Sequence, residues 1–304
     1  LIYEIANHKP RCANADAVCP GSCFLVFASP DEAQAILPRY GLPVRLTETA
    51  LQNRSMVYES HEGFEFLCVN TLAHRAPAAA PGKVCVYFTR ELLLFVSRQP
   101  ENTQAMLCDV LEGESASLSI EHLLMLFLER FISGDPAALE DIEQEISELE
   151  NALLTEGKRN AVREIISLRQ RLMAYKRHYE QLLGVFDMLE ENEDDLLSAH
   201  AERTLHILSN RADRLYHAVL NLRDYVTQVR ESYQAEVDIS LNNVMKIFTV
   251  ITAIFLPLTL IVGWYGMNFS MPEYGWRYGY IGVIVISVAV VVVSMALFKK
   301  RKWF

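Results

Sequence analysis

From Ile247 to Tyr265 the chain carries no Asp, Glu, Lys, Arg or His, and a second such run extends from Tyr278 to Phe298. Each run suits the ~20 residues that a helix needs to cross the hydrocarbon core of a bilayer. The stretch between them, residues 266–277, is too short to be a domain. These runs predict a membrane-embedded helical hairpin, and the rest of the chain has to be arranged around it.

The first run is not uniformly apolar. At helical spacing one face reads Asp238, Asn242, Met245, Thr249, Thr252, Leu256, Thr259 and Gly263, in alternating steps of four and three. That is the period of a helix packed against copies of itself. Two readings fit a hydroxyl-rich face on an Ile-, Val-, Leu- and Phe-rich helix. The threonines bond a partner helix, or the face lines water. Upstream the stripe carries Asp224, Gln228, Glu231 and Asp238, and downstream the helix gives way to Tyr265-Gly266-Met267-Asn268. An acidic approach, a hydroxyl-lined bore and an amide at the far mouth together describe a cation path.

The formal charge of −10 argues against nucleic acid as a partner. The basic end, Lys299-Lys300-Arg301-Lys302, predicts a cytoplasmic C-terminus, and two spans return the N-terminal part to the same side. The first residues, LIYEIANHKP, are polar and mixed, unlike a cleavable leader, and the start at Leu1 leaves room for an upstream segment. All six cysteines (Cys12, Cys19, Cys23, Cys68, Cys85 and Cys108) fall in that N-terminal part, where a reducing compartment predicts free thiols. The spacing of Cys12, Cys19 and Cys23 lacks the close pair of a zinc site. No phosphate loop, nucleophile elbow or zinc-protease motif is present, so nothing asks for an enzyme.

Residues 1–132 read as an α/β domain. Phe24–Ala28 predicts a strand, and Ser29-Pro30 predicts a cap and first turn of a helix. Met56–Glu59 and Phe64–Val69 predict a hairpin about His61-Glu62-Gly63, and Lys83–Phe88 with Leu92–Val96 a second pair. Residues 76–81 read as an Ala- and Pro-rich loop. Ile120–Ile132 is too short and too charged to span, so it predicts a core helix. Residues 133–195 predict an antiparallel pair: an acidic helix, Leu139–Thr155, ended by Gly157, and a basic-centred partner from Asn160 to Glu190. The acidic run Glu190–Asp195 reads as a solvated turn, or as a loose divalent-ion site. From Leu196 no Gly or Pro interrupts the pattern before Pro257. It predicts a stalk helix over 196–246 that runs on into a first span, 247–265. An external loop (266–277), a second span (278–298) and a basic tail (299–304) complete the chain. The second span, read as Ile, Val and Ala without a polar stripe, is expected to face lipid.

Tyr265-Gly266-Met267-Asn268-Phe269, with Met271-Pro272-Glu273 after it, resembles the signature of the CorA family of divalent-cation channels. Asn242-x-x-Met245-Lys246 and Phe255-Leu256-Pro257-Leu258-Thr259 are similar to that family's first-span pattern. The resemblance implies an α+β membrane protein: a cytoplasmic α/β domain, a long stalk helix continuing into the first of two spans, and a homopentameric funnel in lipid. It implies Mg2+ as the transported and regulatory ion, passive influx, no organic cofactor, and a bacterial inner membrane. Two spans cannot enclose a pore, so several copies would each contribute the first one. Gly266 and Met267 would then turn Asn268 toward the axis. Thr259, Leu256, Thr252, Thr249 and Asn242 would line the bore, and Met245 and Phe248 would gate it by dewetting. Glu273 would attract cations at the mouth, and Glu231 and Asp238 at the cytoplasmic end. Interhelical packing for the threonines, lipid or core contact for Met245 and Phe248, and an ordinary surface charge for Glu273 are the alternatives. For the whole chain they are a Zn2+, Co2+ or Ni2+ transporter, or a membrane-anchored coiled-coil scaffold.

Overall fold

The computed structural model describes residues 1–6, 9–13, 22–53, 55–71, 82–107, 111, 118–156, 161–192, 194–268 and 275–301. Cys19, Cys108, Gly157, Glu193, Glu273 and the stretches 76–81 and 302–304 lie outside them. The chain forms two compact units, Leu1–Val229 and Arg230–Phe304.

The first unit is built on a seven-stranded mixed sheet of order β2-β1-β3-β7-β6-β5-β4. Its strands are β1 (Ile2–Ala6), β2 (Lys9–Ala13), β3 (Phe24–Ala28), β4 (Val57–His61), β5 (Phe64–Thr71), β6 (Gly82–Phe88) and β7 (Leu92–Ser97). Four of the expected strands form the meander β4-β5-β6-β7, and β3 pairs with β7 in parallel. A parallel neighbour requires a crossover. It is supplied by α1 (Pro30–Ile36), a 3-10 turn and α2 (Val44–Gln52), after which the meander returns from the far edge. β1 and β2 do not stand out in the sequence, because Lys9, Pro10 and Arg11 break the alternation of an edge hairpin.

The central strands are buried on both faces, which explains their unbroken runs of Phe, Leu and Val. On one face Phe24, Val26, Phe66, Cys68, Cys85 and Tyr87 join Ala33, Ile36, Leu37 and Ala50 in a core cluster. On the other, Phe27 stacks on Phe95 at 5.3 Å, and Phe95 meets Phe127 at 4.6 Å. Phe127 belongs to α4 (Ile120–Ser133), which follows the short α3 (Pro100–Ala105) and, as expected, is core. α1 begins with the expected Ser29 cap, and Glu32 completes a capping box: Glu32 N–H donates to Ser29 Oγ, and Ser29 N–H to Glu32 Oε2.

Ser133-Gly134 separates α4 from α5 (Asp135–Glu156), and α6 (Ala161–Glu190) follows. Asp135 accepts a bond from Tyr179 at 2.6 Å, and Arg171 donates to Glu145. The separation of partners shrinks toward the connecting turn, so the pair is antiparallel, as its charges predict. Apolar side chains contribute more to it than the charges do. Leu139, Ile142, Ile146, Leu149 and Leu153 are buried together with Leu168, Leu172 and Tyr175, whereas an exposed ion pair contributes about 0–1 kcal/mol. Burial pushes the Tyr175 phenol up to about 12, and it raises Tyr179 further, with the Asp135 charge adding to the effect.

Among the described residues no group of three metal-ligating side chains occurs, and the described part of the acidic run Glu190–Asp195 is tied to its surroundings. Asn192, buried and at φ 43°, bonds both the N–H and the carbonyl of Leu197 and reaches Glu202. Asp194 accepts from the N–H of Gly63 in the β4–β5 turn at 3.0 Å. The run is a tied corner leading into α7 (Ala199–Tyr265), a single helix of 67 residues.

Candidate functional site

Within the first unit α7 buries Ala201, Leu205, Leu208, Ala212, Leu215, Val219, Leu222, Val226 and Val229. The steps alternate four and three, the same period as the polar stripe, but this apolar repeat lies on another face and is covered by the chain's own unit. Tyr225 donates to Glu150 of α5 and Tyr216 to Glu180 of α6, at 2.6 and 3.4 Å. Asp224 and Gln228 lie on the uncovered side of α7.

In the second unit, Glu231, Asp238, Asn242, Met245, Phe248, Thr249, Thr252, Leu256 and Thr259 all lie on α7, and all are exposed. Val250 is buried there, and Ile254, Pro257, Ile261 and Tyr265 are half-buried. These covered positions precede Thr252, Leu256, Thr259 and Gly263 by two residues, about 200° around a helix. The helix therefore has one covered face, and the polar stripe is on the opposite, open one. Phe248 stands beside that stripe, one position before Thr249. A shallow groove runs along the open face, where Ile251 and Phe255 flank the stripe on one side and Leu260 and Trp264 on the other, and Met267 ends it.

The three threonines share one bonding pattern. Thr249 donates its hydroxyl to the carbonyl of Met245, Thr252 to Phe248 and Thr259 to Phe255, each at 2.8 Å. Each proton is thus directed at the backbone, and the free lone pairs of each Oγ are left on the open face. Three positions on the stripe accept hydrogen bonds and offer none outward.

α7 ends in a tight turn. The N–H of Gly266 bonds to Val262 O at 2.8 Å, and Met267 N–H to Trp264 O at 3.4 Å. A Cβ on residue 266 would meet the Val262 carbonyl oxygen at 2.9 Å, so the turn requires glycine. Met267 and Asn268 follow directly and are exposed. Beyond the loop, α8 (Gly279–Lys300) has half-covered positions at Val283, Ser287, Val290, Val291, Ser294 and Phe298. The reading of this span as Ile, Val and Ala without a polar stripe needs correction: Ser287 and Ser294, seven positions apart, share this less exposed face. Ser287 also bonds back to Val283 O, which lowers the cost of keeping it in an apolar helix.

α7 and α8 both contain stretches long and apolar enough to cross a membrane, and almost none of either stretch is buried by the chain. Apolar surface this continuous calls for lipid or protein to cover it. Trp264, Trp276, Tyr278 and Tyr280 are exposed near one end of the hairpin, where amphipathic rings mark a membrane interface, and Lys299 and Lys300 are at the other.

A family model described as CorA-like Mg2+ transporter protein matches residues 21–300. A cobalt/magnesium transport protein from Thermotoga maritima is 29% identical over 60% of this chain and 52% of its own length. The curated relatives that the chain matches are thus covered over about half of their length or less. The complete structure of a magnesium transporter from Methanocaldococcus jannaschii superposes with TM-score 0.84 at 18% identity, over 100% of this chain and 98% of the other. The full-length structure of a protein called CmaX follows with TM-score 0.77 and 17% identity, over 99% and 97%. At these identities the superpositions establish the fold: a soluble α/β part, a long helix and two apolar C-terminal helices.

Proposed function

Because the chain belongs to the family of CorA-like Mg2+ transporter proteins, we propose that it is a homopentameric channel for passive Mg2+ influx. The observation that carries this reading is the open face of α7, where Thr249, Thr252 and Thr259 present acceptor oxygens on the side that also carries Asn242, with Asn268 exposed just past the turn.

Mg2+ holds its waters tightly in octahedral geometry. Waters bound to a cation point their hydrogens outward, so the surface that recognises a hydrated ion must accept hydrogen bonds. Residues 247–265 contain no carboxylate to replace those waters, and the ion keeps its shell. Copies of the stripe arranged about an axis surround it with Oγ atoms. A ring of Asn268 amide oxygens, turned inward by Gly266 and Met267, makes the outer mouth. Leu256 lies between the hydroxyl rings, Asn242 forms the cytoplasmic end, and Met245 and Phe248 form the hydrophobic constriction. Glu273 outside, and Glu231 and Asp238 inside, concentrate cations.

The membrane lies across residues 247–265 and 278–298, with both termini in the cytoplasm of a bacterial cell. An inside-negative potential contributes about 4.6 kcal/mol per 100 mV to the entry of a divalent ion, so no nucleotide is required. Intracellular Mg2+ bridges carboxylates of neighbouring subunits, Glu231 and Asp238 among them, and closes the pore when it is plentiful.

The test is Mg2+ uptake into liposomes of the purified protein under an inside-negative potential, wild type beside Asn268→Ala. Uptake that collapses in the variant supports the reading, whereas equal uptake removes Asn268 from the mouth. No uptake by folded oligomers at low internal Mg2+ points first to a different ion and then to the anchored scaffold. Co2+ is the second ion to test, since the Thermotoga maritima relative is named for cobalt as well as magnesium.

A further inference from the structure

Cys68 and Cys85 are directly opposed in the antiparallel β5–β6 pair, both fully buried, with their sulfurs 2.8 Å apart. Opposed residues of antiparallel strands have Cα atoms about 4.5–5.5 Å apart, inside the range a disulfide needs. Closing the bond therefore requires no backbone movement. Cys12 and Cys23, by contrast, are not buried.

The pair also has a cover. Lys83, Cys85 and Tyr87 alternate on one face of β6, beneath α2. Tyr87 holds the start of α2: its hydroxyl donates to Pro43 O at 2.9 Å and pairs with Thr47 Oγ1 at 2.8 Å. Lys83 holds the end, donating to the carbonyls of Ala50 (2.6 Å), Asn53 and Ser55 (3.5 Å). The residues two before and two after Cys85 thus clamp both ends of the helix that closes over the thiols.

We propose that Cys68 and Cys85 are a reversible dithiol–disulfide couple, oxidised by hydrogen peroxide when α2 lifts from the sheet. The step balances in two stages. The Cys68 sulfur attacks a peroxide oxygen, the O–O bond breaks, and water leaves with the thiol proton, giving a sulfenic acid. The Cys85 sulfur then attacks the Cys68 sulfur, the S–O bond breaks, and a second water leaves with the Cys85 proton. Two electrons pass from the dithiol to the peroxide, and an added dithiol reverses the change by exchange. Cys68 accepts the hydrogen bond that Cys85 donates, which holds its thiol below the ordinary value, while Cys85 is raised by the same bond and by burial. Reduced at rest and oxidised under stress is how intracellular disulfides are commonly used.

The test treats the full chain in detergent with hydrogen peroxide, followed by non-reducing peptide mass spectrometry. It is run on the unsubstituted protein and on a form with Cys12, Cys19, Cys23 and Cys108 changed to Ser. One cross-linked pair joining Cys68 to Cys85, lighter by two hydrogens and restored by dithiothreitol, is expected in both. Lys83→Met, which releases the end of α2, should speed its formation about tenfold, the worth of one strong hydrogen bond. The proposal is overturned if both thiols still titrate after peroxide and unfolding, in wild type and Lys83→Met alike. It is overturned equally if either sulfur ends as a sulfinic acid or pairs with another cysteine.

Discussion

Gly266 is required by a distance. A methyl group there would sit 2.9 Å from the Val262 carbonyl oxygen, so Gly266→Ala must open the last turn of α7 and displace Asn268. Liposome uptake should be lost in this variant while its oligomer, read by size exclusion, is retained. In the proposed pore Thr259 would act through one oxygen, whose proton is committed to Phe255 O. Thr259→Val keeps the volume and removes the acceptor, and it should lower uptake about tenfold, whereas Thr259→Ser retains it. If instead the valine variant conducts normally and only the oligomer weakens, the threonine is packing glue. The phenols respond to pH. Tyr87 and Tyr175 are pushed from 10 up to about 12 by burial. The folded chain therefore keeps protons that the unfolded chain releases between those values. Their contribution to stability is complete below pH 10 and is lost as pH rises through 12. The urea midpoint should fall across that window, and Tyr175→Phe should make the fall shallower.

At the scale of elements, α7 has different surroundings along its length and around its circumference. In the first unit its buried repeat, Ala201 to Val229, packs on the chain's own helices. In the second unit the hydroxyl stripe is on the face opposite the covered one. Leu205→Ala removes a fully buried side chain and should destabilise the first unit by about 2–5 kcal/mol in urea unfolding, a cavity cost. A similar truncation on the open face, Leu256→Ala, should leave that transition unmoved. The α6–α7 corner depends on Asn192, whose amide serves both backbone groups of Leu197. Asn192→Ala leaves them buried without those partners, at a cost of about 1–3 kcal/mol by the same measurement.

For the whole molecule, the apolar runs and the stripe were legible in the sequence because their signals are local. Absence of charge over 19 residues and a repeat of three and four need no tertiary information. The same holds for the central strands, for α4 as a core helix, and for the antiparallel α5–α6 pair, whose apolar stripes and charges are periodic. What the sequence did not reveal depends on contacts between residues far apart in the chain. β1 and β2 are strands because an edge of the sheet is available to pair them, not because their residues alternate. The acidic run Glu190–Asp195 is a corner because Gly63, distant in sequence, offers its N–H to Asp194. The apolar repeat Ala201 to Val229 of α7 is covered by its own unit whereas the polar stripe is open, and the four-and-three period is the same for both, so no helical period tells the two faces apart. Ser287 and Ser294 fall on the less exposed face of α8 for the same reason: burial is decided by what packs there. Periodicity determines which side chains share a face, and tertiary structure alone decides what that face meets.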